Sequence, residues 1–178
     1  MKLRQIFLAI MLLFVMAGCD KTITGIVVDA ENGQPIEGAV ILVEWTKVKG
    51  LPGMTHTESY KVVEVVTNKE GKASIEGVAA YFVSMPRVTV YKKGYIAWNN
   101  QYIFPDWKRR TDFKWENNYV FRLEKFKPEY SYIKHTGFLS SVILVGAFER
   151  KKLMNNATDW EHQKASEERD DSRKKKGY

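Results

Sequence analysis

The sequence predicts a mainly β protein, an antiparallel β-sandwich of about seven strands followed by a C-terminal helical extension. Residues 22–124 contain short runs of β-branched and aromatic residues, separated by turn-forming Gly, Pro and Asn. Several of these runs alternate apolar and polar residues, as strands with one buried face do. Apolar residues make up 44% of the 178-residue chain, which is enough to build a core and excludes wholesale disorder.

The strands can be assigned in order along the sequence. The first is predicted over residues 22–29, and Asn32 with Gly33 then forms a reverse turn because both residues tolerate positive φ. The second strand places four apolar side chains on one face, those of Ala39, Ile41, Val43 and Trp45. Further strands are predicted at residues 60–67, 72–77, 87–91 and 119–123.

Two helices are predicted after the strands. Residues 130–153 place apolar side chains three and four positions apart, namely Phe138, Leu139, Val142, Ile143 and Val145. This apolar face either packs on the sandwich or lies on a membrane surface. Thr158 and Glu161 then have the spacing of a capping box, which predicts that a second helix begins there. Because that helix is nearly all polar, we expect it to be solvated or frayed.

The first 18 residues have the features of an export signal. Lys2 and Arg4 precede twelve uninterrupted apolar residues at positions 6–17. A helix of that length spans about 18 Å, well short of the ~30 Å hydrocarbon core of a bilayer. Residues 1–18 are therefore predicted to be a cleaved signal peptide rather than a membrane span.

The apolar run ends in VMAGC at residues 15–19, so that small residues directly precede Cys19, the only cysteine of the chain. This pattern resembles the lipobox of bacterial lipoproteins, with Met16 in place of the usual Leu. The resemblance implies that residues 19–21 form a lipidated N-terminus and a short tether. Lipidated Cys19 would anchor the protein to a bacterial membrane, with the domain facing the periplasm. Asp20 favours the inner membrane. An ordinary cleaved signal with an unrelated cysteine is the alternative.

Three motifs of the β region occur together and in order. They are GIVVD followed by NGQPIEGAVI within residues 25–41, TNKEGKASI at residues 67–75 and VTVYKKGY at residues 88–95. Together they resemble the carboxypeptidase regulatory-like domain, a transthyretin-like sandwich of Ig-like architecture. Asn68 and Ala73 depart from the Asp and the aromatic residue that are usual in the family.

The resemblance implies a division of the chain after the signal and tether. The sandwich would cover residues 22–127, and a helical extension with a charged tail would cover residues 128–178. An unusually long insertion at residues 48–58 separates the second and third predicted strands. The family supplies no catalytic residues, so the resemblance bears on the fold and not on the function.

The sequence predicts neither an enzyme nor a metal site, and no cofactor. His56, His135 and His162 lack the His-x-x-Glu spacing of a zinc carboxypeptidase, and each is expected at the surface. A single cysteine cannot build a cysteine zinc cluster. Nucleophile elbow, phosphate-loop and dinucleotide motifs are absent from the sequence. The interpretation is a non-catalytic binding or scaffolding protein.

An aromatic stretch at residues 95–115 is the strongest candidate for a binding site. Its rings alternate with amide and charged side chains, an arrangement that suits stacking on sugars or a hot spot for a protein. The candidate surface for an unknown protein or glycan partner consists of Trp98, Tyr102, Trp107 and Trp115, and a glycan-binding module is the alternative function. The competing explanation is that these rings fold onto the sandwich or the C-terminal helix.

Basic residues give the chain a formal charge of +7 and cluster at residues 108–110 and 173–176. Such clusters can neutralise phosphates. Because export separates the protein from nucleic acid, no nucleic-acid partner is predicted, and anionic lipid headgroups are the nearer polyanion. Solvated surface charge without a partner is the competing interpretation.

Overall fold

The computed structural model describes residues 22–51, 53–78, 83, 85–143 and 150–175. Within these residues it contains nine strands and two helices. The strands are β1 (Ile23–Asp29), β2 (Val40–Leu51), β3 (Met54–Val66), β4 (Lys72–Ile75), β5 (Arg87–Tyr91), β6 (Trp98–Asn99), β7 (Tyr102–Ile103), β8 (Lys108–Arg109) and β9 (Tyr119–Leu123). The helices are α1 (Tyr132–Val142) and α2 (Lys152–Lys175). The predicted fold class, a mainly β sandwich with a C-terminal helical extension, is confirmed.

The strands form two main sheets and a separate short hairpin. One sheet has the order β4-β1-β9, the other has the order β3-β2-β5-β6, and β7 pairs with β8. Most pairings are antiparallel as predicted, but β1 and β9 run parallel, with Gly25 opposite Tyr119 and Asp29 opposite Leu123. A parallel pairing requires a long connection between its strands. Here the whole second sheet lies between β1 and β9 in the sequence.

The two sheets enclose the main hydrophobic core. The predicted inward face of the second strand is confirmed, because Ala39, Ile41, Val43 and Trp45 all lie buried in this core. Val27 and Phe121 face them from the other sheet, and both are fully buried. The local period of two therefore identified the correct face of the central strand.

The opposite face of β2 is also buried, and the two helices cover it. Val40 and Leu42 point away from the sheet–sheet core and pack with Tyr91, Phe138 and other residues of a second cluster. The members that α1 and α2 contribute are Phe138, Leu139, Val142 and Met154. Of the two predicted alternatives, packing on the sandwich or on a membrane surface, the apolar face of the first helix follows the first. Val145 lies outside the described residues.

The second helix begins earlier than predicted and is not merely solvated. It starts at Lys152, and Thr158 lies inside it with its Oγ1 donating to the carbonyl of Met154 at 3.0 Å, so the capping box predicted at Thr158 is wrong. One face of the helix is buried through Met154, Thr158, Glu161 and Ala165. These residues are spaced at four, three and four positions, the period of a helix face that packs against a neighbour. Among the described residues, neither helix is long and apolar enough to cross a membrane.

The long insertion between the second and third predicted strands is part of the sheet. β2 includes residues 48–51 and β3 includes residues 54–58, and the two strands pair as far as Leu51 opposite Met54, with a register shift between Trp45 and Thr46. The paired strands form one long hairpin that extends past the last β2–β5 pair, Glu44 opposite Arg87. The residues of the predicted insertion therefore belong to two paired strands, which form a projecting β-ribbon.

The turn between β1 and β2 is organised by Asp29. Its Oδ1 accepts hydrogen bonds from the backbone N–H groups of Glu31 at 2.8 Å and Asn32 at 3.3 Å, and its Oδ2 accepts one from the hydroxyl of Tyr95. The Glu31 N–H is the largest cause of a lowered pKa of Asp29, and Tyr95, Asn32 and Lys125 act in the same direction. The ionised carboxylate is therefore the form that holds this turn.

Asp29→Asn is expected to make stability less sensitive to acid. A carboxyl group with a lowered folded-state pKa stabilises the fold fully above its unfolded-state pKa and loses that contribution as pH falls through the folded-state value. The melting temperature of the wild type should therefore fall more steeply with decreasing pH than that of Asp29→Asn below about pH 4. Glu70→Gln, at an exposed position, is the control and should follow the wild type. Parallel acid profiles for wild type and Asp29→Asn would contradict this role.

Candidate functional site

The β7–β8 hairpin presents the middle of the aromatic stretch. Tyr102 pairs with Arg109 and Ile103 with Lys108, so that these side chains stand at fixed positions along the ribbon. The N–H of Trp107 donates to the carbonyl of Ile103 at 2.9 Å and closes the turn. Trp107 has a φ of 59°, a conformation that non-glycine residues adopt rarely. The turn thus holds a large ring at the surface in a defined position.

A cleft of about 220 Å³ lies beside this hairpin. The residues that line it include Met85, Gln101, Tyr102, Arg109, Arg110 and Phe113. Aromatic rings, an amide and two guanidinium groups therefore converge on one concavity. This combination can form hydrogen bonds, stack on flat groups and attract negative charge.

The two arginines of the cleft are held differently. Arg110 stacks on the ring of Trp98 at 4.6 Å, and its Nε donates to the carbonyl of Asn99 at 2.9 Å. It also pairs with Asp112 at 3.6 Å. Arg109 is exposed, and its guanidinium lies 5.9 Å from the centre of the Tyr102 ring. Arg110 is a fixed part of the wall, whereas Arg109 is accessible to a ligand.

Two of the amides in the aromatic stretch stabilise the loop from within. Asn100 accepts a hydrogen bond from the N–H of Val88 and donates one to the carbonyl of Pro86, both at 2.9 Å. Asn99 is fully buried and donates to the carbonyl of Val88 while accepting from the N–H groups of Gln101 and Tyr102. The oxygen and nitrogen of each amide are bonded within the loop, to the backbone and, for Asn99, also to the hydroxyl of Thr89, so neither amide has the ligand-facing role that the sequence suggested.

The four predicted aromatic site residues lie in different environments. Trp98 is only 5% exposed and belongs to the main core, where it contacts the ring of Phe121 at 4.9 Å. Its assignment to a binding surface is therefore corrected: the side chain fills the core between β6 and β9. Trp115 is half-buried and packs edge-on against Trp45 at 5.7 Å.

The other two predicted aromatics remain accessible. Trp107 is 45% exposed, although its ring packs against that of Phe138 of α1, with the ring centroids 5.1 Å apart. Tyr102 is half-buried, lines the cleft and lies 5.9 Å from the ring of Trp107. The structure therefore brings Tyr102 and Trp107 together on one hairpin and places Trp98 and Trp115 elsewhere. Whether the hairpin binds a partner stays a prediction.

A buried polar network joins the helices to the sandwich, and no sequence motif indicated it. His135 of α1 is fully buried, so its predicted surface position is wrong, whereas His56 and His162 are exposed as expected. The N–H of Ala97 donates to His135 Nε2 at 2.9 Å, which places the ring proton on Nδ1. That Nδ1 donates to Glu161 of α2.

Tyr91 extends the same network. Its hydroxyl donates to Glu161 Oε2 at 2.7 Å and accepts from Trp160 Nε1 at 2.8 Å. Burial is the largest cause of a raised pKa of Tyr91, and the Glu161 carboxylate adds to it, so the phenol stays neutral. Each polar atom named here has its partner inside the protein. The cluster therefore stabilises helix docking and does not present a reactive group.

Other carboxylates fasten α2 at its start and along its length. Both oxygens of Glu64 on β3 accept backbone N–H groups of the first turn, from Leu153 at 3.0 Å and Met154 at 2.7 Å. Lys151 forms a buried ion pair with Glu44 of β2 at 2.6 Å. Further along the helix, Glu168 accepts the N–H of Ile133 at the start of α1. Negative charge at a helix N-terminus is favourable, which explains why Glu64 faces that end of α2.

Cys19, the predicted lipidation site, and the signal peptide lie outside the described residues. Within the described ranges, no group of three or more His, Cys, Asp or Glu residues gathers as a metal site would require.

Comparison with known proteins adds little to this picture. No family model matches the chain, and no curated protein matches it. Among solved structures, a streptococcal ancillary pilin is similar with a TM-score of 0.33 and 19% sequence identity. The match covers 61% of this chain and 30% of the pilin chain, so this protein spans less than a third of the pilin's length.

Proposed function

We propose that the protein is a lipid-anchored component of the bacterial cell envelope whose sandwich binds a partner without catalysing a reaction. The lipobox-like VMAGC at residues 15–19 supports the anchor, and the resemblance to carboxypeptidase regulatory-like domains supports a non-catalytic role. The domain would face the periplasm, with Asp20 favouring the inner membrane. The observation that carries the binding role is the cleft beside the β7–β8 hairpin.

The chemistry of the cleft favours a partner with a negatively charged group. Arg109 is exposed at its rim and pairs with no acidic residue among the described residues, whereas Lys108 pairs with Asp106 at 3.1 Å. An exposed guanidinium next to an aromatic ring can bind a carboxylate or phosphate in two-point geometry. The group would belong to an acidic side chain of a protein or to an acidic sugar.

A glycan-binding module remains the second candidate because of one feature of the same cleft. The rings of Tyr102 and Phe113 line it together with the exposed amide of Gln101. Rings beside an amide provide stacking and hydrogen bonding for a sugar. The burial of Trp98 removes one ring from this candidate surface, so the glycan would rest on Tyr102 and the accessible part of Trp107.

Cys19→Ser is expected to abolish membrane attachment or to leave an uncleaved precursor. Several acyl chains on the cysteine would make attachment effectively permanent, since each buried methylene contributes about 0.8 kcal/mol. Labelled palmitate incorporation and carbonate extraction of membranes measure this directly. Wild-type protein that takes up no palmitate and fractionates as soluble would show that the anchor is absent.

Arg109→Ala is expected to weaken partner binding at least about 30-fold without lowering the melting temperature, as for an interface hot spot. Arg169→Ala, an exposed substitution on α2, is the matched control. Crosslinked capture from membranes and a glycan array, each with both variants, identify the partner class. Equal binding by Arg109→Ala and the wild type would remove the cleft from the proposal.

A further inference from the structure

The β2–β3 ribbon projects from one end of the sandwich. β2 pairs with β5 over Val40–Glu44 and is still bridged to Val83 at Lys47, whereas its pairing with β3 continues to Leu51 opposite Met54. The four residues of β2 beyond this bridge, 48–51, extend about 13 Å at ~3.3 Å per residue. A long β-ribbon that leaves its sheet is an exposed edge unless another surface meets it.

The end of this ribbon is apolar and exposed. Leu51 is 74% exposed and Met54 is 80% exposed, and these two residues pair with each other at the tip. Val48, on the flank of the tip, is 61% exposed. Large apolar side chains concentrated at one projecting point mark a contact with an apolar partner.

Two lysines follow behind the apolar tip, and Tyr60 lies at the base of the ribbon. Lys49 pairs with Glu58 at 2.7 Å, and Lys47 lies over the ring of Tyr60 at 5.0 Å. Tyr60 is itself 43% exposed. An apolar end backed by two lysines suits a bilayer surface, where acyl chains lie beneath anionic headgroups.

The start of the sandwich lies at the same end as the departure point of the ribbon. Ile23 at the start of β1 pairs with Ile75 of β4. Glu76, which follows Ile75, forms an ion pair with Lys61, and Lys61 lies opposite Trp45 where the ribbon begins. Thr24 is bonded to Asn117. β1 therefore begins beside the point where the ribbon leaves the sandwich.

The proposed anchor brings this end of the protein to the membrane. Only three peptide steps separate Cys19 from Thr22, so an extended tether reaches about 11 Å at most. The projecting part of the ribbon, about 13 Å long, leaves from the end that the tether holds at the bilayer surface. Its tip is thus within reach of the bilayer as soon as Cys19 is acylated.

We propose that the tip of the β2–β3 ribbon inserts into the bilayer that holds the lipid anchor, with Leu51 and Met54 among the acyl chains and Lys47 and Lys49 at anionic headgroups. This inference rests on the proposed lipidation of Cys19. Two separate contacts, the anchor and the ribbon tip, fix the orientation of the sandwich and direct the β1–β2 turn away from the membrane.

The test uses the full chain, purified from membranes and reconstituted into vesicles of phosphatidylethanolamine and phosphatidylglycerol. Because acylation blocks Cys19, Met54→Cys provides a unique thiol for an environment-sensitive fluorophore. Gln34→Cys, exposed in the β1–β2 turn, is the matched control. We expect a blue-shifted emission and quenching by spin-labelled lipid at position 54, and quenching by aqueous iodide alone at position 34.

The outcomes separate the two proposals. A label at position 54 that iodide quenches as strongly as the label at position 34 overturns the ribbon insertion and leaves the anchor intact. A label at position 54 shielded from both quenchers indicates a protein contact and also overturns it. Reaction of the wild-type Cys19 with the thiol fluorophore, without palmitate uptake, overturns the proposed anchoring and the insertion that depends on it.

Discussion

Glu161→Ala is expected to lower the free energy of unfolding by about 2–6 kcal/mol, because two buried donors each lose an acceptor at a cost of ~1–3 kcal/mol. The donors are Nδ1 of His135 and the hydroxyl of Tyr91, and both side chains are at most 1% exposed. The substitution also removes a fully desolvated side chain from the contact between α2 and the sandwich. Denaturant unfolding measures the loss.

Two companion variants make this result specific. His162→Ala changes the adjacent, exposed residue of the same helix and should cost little. Glu161→Gln keeps one acceptor oxygen and should give an intermediate loss. Because Trp160 donates to Tyr91, its fluorescence should shift to the red if α2 undocks. A Glu161→Ala variant as stable as His162→Ala would show that the network contributes nothing to docking.

Trp98→Ala is expected to cost about 3–5 kcal/mol of stability, the range for truncating a buried aromatic side chain in a core. Its ring contacts Phe113, Tyr119 and Phe121 edge-on or tilted, with centroids between 4.9 and 5.9 Å apart. The truncation would also remove the surface on which Arg110 stacks. We therefore expect both a lower melting temperature and a loosened wall of the cleft.

Trp107→Ala should behave in the opposite way. The side chain is 45% exposed, so its removal should change stability far less than Trp98→Ala does. It should also remove the fraction of the fluorescence that acrylamide quenches most strongly. Equal destabilisation by the two substitutions, with no change in quenching, would show that Trp107 is also a core residue and that the hairpin is no recognition surface.

Strand positions could be predicted because alternation is a local signal. Ile41, Val43 and Trp45 identify a buried face without knowledge of the rest of the chain. The intervening Val40 and Leu42 are apolar as well, and a strand that is apolar on both faces indicates cover on both sides. That signal could have predicted the second core, and with it the docked position of the helices.

The polar contacts that dock α2 could not be predicted in the same way. Glu44 and Lys151 lie 107 positions apart, and each would be assigned to the surface by composition alone. Asn99 and Asn100 present the same difficulty, since an amide that holds a loop and one that binds a sugar are identical in sequence. Only the tertiary structure shows which hydrogen bonds are already taken.

The two helices that cover β2 come last in the sequence, and this order affects folding during synthesis. Synthesis proceeds from the N-terminus, so Val40 and Leu42 leave the ribosome long before Met154 and Glu161 follow. Until α1 and α2 have both been made, the outer face of the central strand is not fully covered and exposes apolar side chains. We therefore expect a chain truncated before Lys152 to expose part of this apolar face and to be less stable than the full chain.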